Sequence, residues 1–292
     1  MTKPKLLLHP GSSQGGSTWI QNLCGRNPEI LAQQHFHYLH DFRKLPFDAL
    51  GSDDPAPFHA ALDSFLDRDA PEGSTETVFL SNENALGDPM HAGGLFAMAP
   101  AMARDMLPLF DRFDAAQVIY VWRPLDRFLL SAYNQRKKQG SKITFSAYAD
   151  TAAARGYDSR HVIETLRILS TRAQVTVIDF EFLSERPRRF AAEFFRLAGV
   201  ALPEGFDYVQ GGRNPSIRPE GIKILEHAKD FLERKDYMDL RKFVQARFPK
   251  TGFTDEEQGF LDDWAGRCAA NEKTRLAELG KFARLIRVPP KT

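Results

Sequence analysis

Residues 5–26 read KLLLHPGSSQGGSTWIQNLCGR, and this stretch decides the fold. Lys5–His9 is a short apolar run that Pro10 and Gly11 interrupt at once. Gly15 and Gly16 follow, and a helical pattern begins at Ser17, so the stretch predicts strand, glycine-rich turn and helix. Glycines let successive backbone N–H groups converge on an anion. The helix N-terminus adds unpaired amides and a positive dipole end. The turn is therefore a candidate cradle for a phosphate or sulfate. Measured against the nucleotide-binding pattern G-x4-G-K-[ST], the spacing from Gly11 to Gly16 fits and Thr18 follows, but Ser17 occupies the lysine position. An ordinary ATP or GTP kinase is disfavoured. A turn whose glycines serve only close packing is the competing reading.

Outward from that turn, Thr77–Leu80, Gln117–Val121 and Gln174–Asp179 are further β-branched and apolar runs, each followed by a polar turn. Helical patterns lie between them at Ala56–Leu66, Gly94–Phe113 with breaks at Pro100 and Pro108, Leu125–Gln139, Ser159–Ser170 and Pro187–Leu197. Strands alternating with helices predict a mostly parallel, P-loop-like sheet flanked by helices. From Pro219 onward the pattern is helical, over Gly221–Phe248 and Asp255–Leu285. We expect one α/β domain over 1–292, with a helical C-terminal part from about residue 219. Gln33–Asp54 and Ala198–Pro219 show no clear period, and long loops of this kind are usually functional.

Composition narrows the classes. The 292 residues hold 39 Lys+Arg against 38 Asp+Glu, 42% hydrophobic residues and two cysteines, Cys24 and Cys268. Disordered and collagen-like chains do not fit, and two distant cysteines make neither a disulfide framework nor a four-cysteine zinc site. With no long apolar run, a soluble, cytoplasmic protein without a membrane span is expected. The formal net charge of +1 argues against nucleic-acid binding, yet it hides an asymmetry. Residues 1–122 carry 8 basic and 15 acidic residues, and the remainder is correspondingly basic. From Arg123 to Lys142 there are 6 basic residues against Asp126 alone. That segment is a candidate anion site, with a solvated helix face as the alternative.

Within it, VIYVWRPLDRFLLSAY places Arg123 at the carboxyl end of a strand, where ligands of parallel sheets bind. Arg127 and Ser131, four residues apart, share a helix face. A guanidinium beside a hydroxyl suits a second phosphate. An arginine paired with a carboxylate would serve structure alone.

Together these segments resemble the sulfotransferase superfamily, in particular bacterial proteins related to carbohydrate sulfotransferases. HPGSSQGGSTWIQ looks like the loop that holds the 5′-phosphosulfate of 3′-phosphoadenosine-5′-phosphosulfate. VFLSNENALG looks like the second strand ending in Ser-x-Glu, and VIYVWRPLDRFLLSAYNQRKKQG is similar to the 3′-phosphate segment. Arg213-Asn-Pro-Ser216 is a weaker likeness to an Asn-x-Ser stretch opening the C-terminal helices. The resemblance implies that Ser12, Ser13, Gln14, Gly15, Gly16, Ser17 and Thr18 cradle the phosphosulfate. It further implies that Arg123 and Ser131 hold the 3′-phosphate, that Arg213 belongs to the cofactor-binding set, and that Trp19 or another aromatic residue stacks on the adenine. It implies no metal.

One position departs from the pattern. The family's loop carries a lysine or arginine where this chain has Gln14, which can donate hydrogen bonds but brings no charge. Either another basic residue, such as Lys137 or Lys138, replaces it, or the enzyme is slow, or the chain binds nucleotide or a partner without turnover. Glu83 matches the family's candidate general base, and a histidine is the alternative base. His35, His37, His40 and Asp41 do not fall on one face in either a strand or a helix, so a loop or structural role is expected rather than a metal site. The acceptor is expected to be a small molecule or glycan.

Overall fold

The computed structural model describes residues 2–11, 16–91, 93–156, 158–202, 205–208 and 216–287. The loop positions Ser12, Ser13, Gln14 and Gly15, and Arg213, lie outside the described residues. The described chain falls into two compact units, one formed by 1–123, 158–211 and 274–292, the other by 124–157 and 212–273.

The first unit is built on β1 (Lys5–Pro10), β2 (Phe36–Tyr38), β3 (Thr77–Asn82), β4 (Ala115–Trp122), β5 (Gln174–Asp179) and β6 (Ala283–Ile286). The sheet order is β2-β3-β1-β4-β5-β6, and every pairing is parallel. Parallel strands need crossover connections. These include α1 (Ser17–Arg26), α2 (Pro28–Ala32), α3 (Ala56–Asp69), α4 (Ala99–Met106), and, numbered past two helices of the other unit, α7 (Arg160–Leu169), α8 (Phe180–Glu185) and α9 (Pro187–Leu197). The α/β class is as expected. Leu7, Phe79, Ile119, Val121 and Ile178 of the strands pack with Ile20, Leu23 and Cys24 of α1 and Phe190, Phe194 and Phe195 of α9 in one buried cluster. Both cysteines are free and buried.

The winding of the connections reverses between β1 and β4. The connection leaving β1 runs to β2 on one side, and that leaving β4 runs to β5 on the other. Such a switch point opens a crevice outside the carboxyl ends of the two strands.

The second unit is helical: α5 (Leu125–Lys138), α6 (Phe145–Ala154), α10 (Pro219–Ala228), α11 (Arg234–Arg247) and most of α12 (Asp255–Leu279). The expected helix Gly221–Phe248 is broken at 229–233, and the expected helix Asp255–Leu285 ends at Leu279, after which β6 joins the sheet of the first unit.

One ion pair anchors the second unit. Glu257 receives the backbone N–H of Thr254 at 2.9 Å and returns its own N–H to Thr254 Oγ1 at 3.3 Å, a capping box at the start of α12. The same carboxylate pairs with Lys250, both side chains being less than 10% exposed (8% and 6%), and accepts from Asn134 Nδ2 at 3.2 Å. Glu257→Ala would leave the Lys250 ammonium buried without its counter-ion and uncap the helix. We expect a loss of about 3–5 kcal/mol, read as a fall in the urea unfolding midpoint; a loss below about 1 kcal/mol, the range of an exposed pair, would contradict it.

Candidate functional site

The carboxyl end of β1 is built from polar residues that the apolar runs do not advertise. In register, His9 lies opposite Ser81 and Pro10 opposite Asn82. His9 and Ser81 are fully buried and Asn82 nearly so. Ser81 Oγ receives Gln21 Nε2 from α1 at 3.1 Å and sits 3.0 Å from His9 Nδ1. With the serine hydroxyl donating to Nδ1, the ring hydrogen rests on Nε2, which has no partner among the described residues. These bonds tie the ends of β1 and β3 to α1.

Burial holds the His9 imidazole down at about 4, against an ordinary value of 6.5. In the unfolded chain His9 takes a proton below about 6.5, whereas the folded protein refuses it until about 4. The unfolded state therefore binds more protons across that window, and stability falls as pH drops through it, by about 3 kcal/mol in all. His9→Gln should flatten the dependence of the urea midpoint on pH between 7 and about 4. An unchanged slope would show that other groups set the acid sensitivity.

Gly11 donates its N–H to Asn82 O at 3.0 Å. A Cβ at Gly11 would stand 2.1 Å from Ser17 Oγ and 3.3 Å from the Glu83 Cα, so a larger residue would have to displace the Ser17 side chain. Gly16 caps α1 at φ 83, a left-handed conformation, and a Cβ there would meet Leu183 Cδ2 at 2.2 Å. Trp19 and Ile20 bond back to Gly16 O, leaving the amides of Ser17 and Thr18 ahead of the first intrahelical bonds. Ser17 Oγ and Asn82 Nδ2 are buried and have no partner among the described residues.

The other sequence-predicted residues distribute as follows. Glu83 is exposed immediately after β3, and Thr18 is exposed on the first turn of α1. Trp19 is half-buried, its ring packed edge-on to Phe190 at 6.0 Å. Arg123, half-buried just past β4, lays its guanidinium over the Phe180 ring with Cζ 4.3 Å from the centroid. Phe180 Cε2 also lies 3.8 Å from the position a Gly16 Cβ would take, which places Arg123 and Gly16 around one aromatic ring. Arg127, Ser131, Lys137 and Lys138 belong to α5 in the helical unit. There Lys137 pairs with Glu226 and donates to Ile143 O, while burial, with a smaller push from Arg241, lowers Lys138 to about 8.

The histidine-rich segment takes a structural form. His35 Nδ1 and His37 Nε2 bracket Glu76 at 2.8 and 2.5 Å, and His40 bonds Asp41. Burial pushes the Glu76 carboxyl up, but the bonds from His37 and His35 outweigh it and hold the group below its ordinary value. Among the described residues no group of three or more His, Cys, Asp or Glu could hold a metal, and no helix is long and apolar enough to cross a membrane.

The residues missed from the sequence are His9, Ser81, Asn82 and Phe180. The available signal was polar side chains at the ends of apolar runs, in LLLHP and VFLSNE. A separate cleft of about 420 Å3, lined by Lys3, Asp67, Arg112 and Phe113 among others, lies at the opposite end of β1. Its arginine is engaged by Asp63 and Asp67, which leaves it poorly suited to an anion.

No protein-family profile and no curated protein matches the chain. Among solved structures, a sulfotransferase from Alicyclobacillus acidocaldarius is similar at 14% identity and a TM-score of 0.44, over 85% of this chain and 96% of that one. The sulfotransferase domain from the curacin biosynthetic pathway matches at 14% identity and 0.40, over 91% and 98%. Retinol dehydratase, solved with androsterone and the inactive cofactor PAP, matches at 12% and 0.42, over 94% and 80%.

Proposed function

We propose that the chain is a cytoplasmic sulfotransferase of the bacterial branch related to carbohydrate sulfotransferases, using 3′-phosphoadenosine-5′-phosphosulfate and a small-molecule or glycan acceptor. The observation that carries this reading is the turn after β1. Gly16 holds a left-handed conformation that favours glycine, Gly11 is crowded by Ser17, the amides of Ser17 and Thr18 precede the first helical bonds, and Ser17 Oγ is a buried donor lacking a partner among the described residues. Those features fit a tetrahedral oxyanion better than a structural turn, which would leave no buried hydroxyl unsatisfied.

When bound, 3′-phosphoadenosine-5′-phosphosulfate supplies a sulfuryl group on a phosphate leaving group. Ser17 and the first amides of α1 would hold the 5′ side through neutral donors. Arg123, braced on Phe180, would bind the 3′-phosphate through a permanent charge. Glu83, exposed at the end of β3, would take the proton from the acceptor hydroxyl or amine.

Calorimetry with 3′,5′-adenosine bisphosphate tests the reading. Micromolar binding is expected, with no gain for ATP and Mg²⁺; absence of bisphosphate binding rejects it, and magnesium-dependent ATP turnover would point to a kinase instead. Gln14 supports a second reading, a sulfotransferase-like binder without turnover. Bisphosphate binding with no transfer to a broad acceptor panel would favour that one.

A further inference from the structure

Asn82 is not accounted for by the sequence motifs. It is 3% exposed at the last position of β3. Its Oδ1 accepts the backbone N–H of Asn84 at 2.8 Å, which fixes the plane of the carboxamide and leaves Nδ2 as the free end. That Nδ2 is buried without a hydrogen-bond partner among the described residues. Native proteins seldom leave a buried donor unsatisfied, and each one calls for an explanation, whether a bound water, an ion or ligand, or local strain. The turn does not explain the residue, because aspartate would accept from Asn84 equally well.

Two other observations concern the same junction of β3, Gly11 and α1. Ser17, also 3% exposed, has an equally unpartnered buried Oγ on the first turn of the ten-residue helix α1. Gly11 joins the two segments: its N–H bonds Asn82 O, while the space where its Cβ would stand is bounded by Ser17 Oγ and the Glu83 Cα. The end of β3 and the start of α1 thus meet across a residue with no side chain. We infer that the Asn82 carboxamide is a binding donor for the oxyanion held at the start of α1, acting with Ser17. This deepens the donor-site reading above and rests on it for the nucleotide. It also gives the uncharged loop a neutral donor from outside the loop.

The test uses the full chain and two probes, pyrophosphate and 3′,5′-adenosine bisphosphate, titrated by calorimetry. Asn82→Asp keeps the acceptor for Asn84 and exchanges the donor for a negative oxygen. It should weaken both probes by about 10–100-fold, the range of a hydrogen bond to a charged group. Ser17→Ala should weaken both by about tenfold on the same grounds. If Asn82→Asp does not fold, Asn82→Ser replaces it, with about a tenfold loss expected. Variants that bind both probes as the parent does would overturn the inference and leave the nucleotide reading intact. Pyrophosphate binding that depends on Asn82, with no nucleotide binding, would support the inference and reject that reading. No binding of either probe by the parent would overturn both.

Discussion

Glu83→Gln is expected to lower sulfuryl transfer by about 10²–10⁴-fold, the usual contribution of a positioned general base, while the affinity for 3′,5′-adenosine bisphosphate stays within about threefold of the parent, less than half the worth of a typical charged hydrogen bond. The expectation comes from how the residue is held. Its backbone follows directly on β3, with Asn82 buried on one side and the Asn84 amide bonded to Asn82 on the other. Its Cα faces Gly11. The main chain is fixed beside Gly11, yet the side chain is exposed. A carboxylate gains basicity when water is removed from it, and an acceptor lying over Glu83 would do so only when the reaction is about to occur. Glutamine preserves size and hydrogen bonding but takes up no proton. Rates measured with the acceptor at saturation separate loss of the base from loss of binding. A rate near that of the parent would assign the proton to another group.

Gln14→Lys is expected to act in the opposite direction, raising transfer by about 10²–10³-fold, the scale of one electrostatic donor to a developing charge. Charge on the bridging oxygen appears only as the bond breaks, so a lysine there should change the rate far more than the affinity for the bisphosphate. The helical unit offers no obvious substitute in Lys137, which is already neutralised by Glu226. A variant that gains nothing would indicate that a cation outside position 14 already does this work. A variant that goes from no measurable transfer to clear transfer would mark the native chain as a binder.

The sequence made the central architecture readable because its strongest signals are local. Gln174–Asp179 and Pro187–Leu197 appear in the structure with the expected boundaries, since a β-branched run and a proline at the first helical position leave little competition. The edge strands were not readable. Phe36–Tyr38 is too short to show a period. In Ala283–Ile286 the side chains are all at least partly exposed, and charges at Lys281, Arg284 and Arg287 mimic the outer face of a continuing helix. The break at 229–233 contains neither Gly nor Pro, so nothing local announces it. For the site, glycine chemistry revealed the turn, whereas the importance of His9, Ser81 and Asn82 depends on burial and cross-strand register, which a linear reading cannot supply.

The division of the chain has a consequence for how the molecule can be taken apart. The polypeptide passes between the two units at 123/124, 157/158, 211/212 and 273/274, and β6 returns to pair with β5 after the last crossing. The helical unit is thus two excursions from the sheet rather than an appended tail. No single cut releases it. Splitting the gene between α10 and α11 would leave β1 to β5 on one fragment and β6 on the other and would divide the helical unit as well, so a native complex of the two would have to restore both the β5–β6 pairing and the packing of α10 on α11.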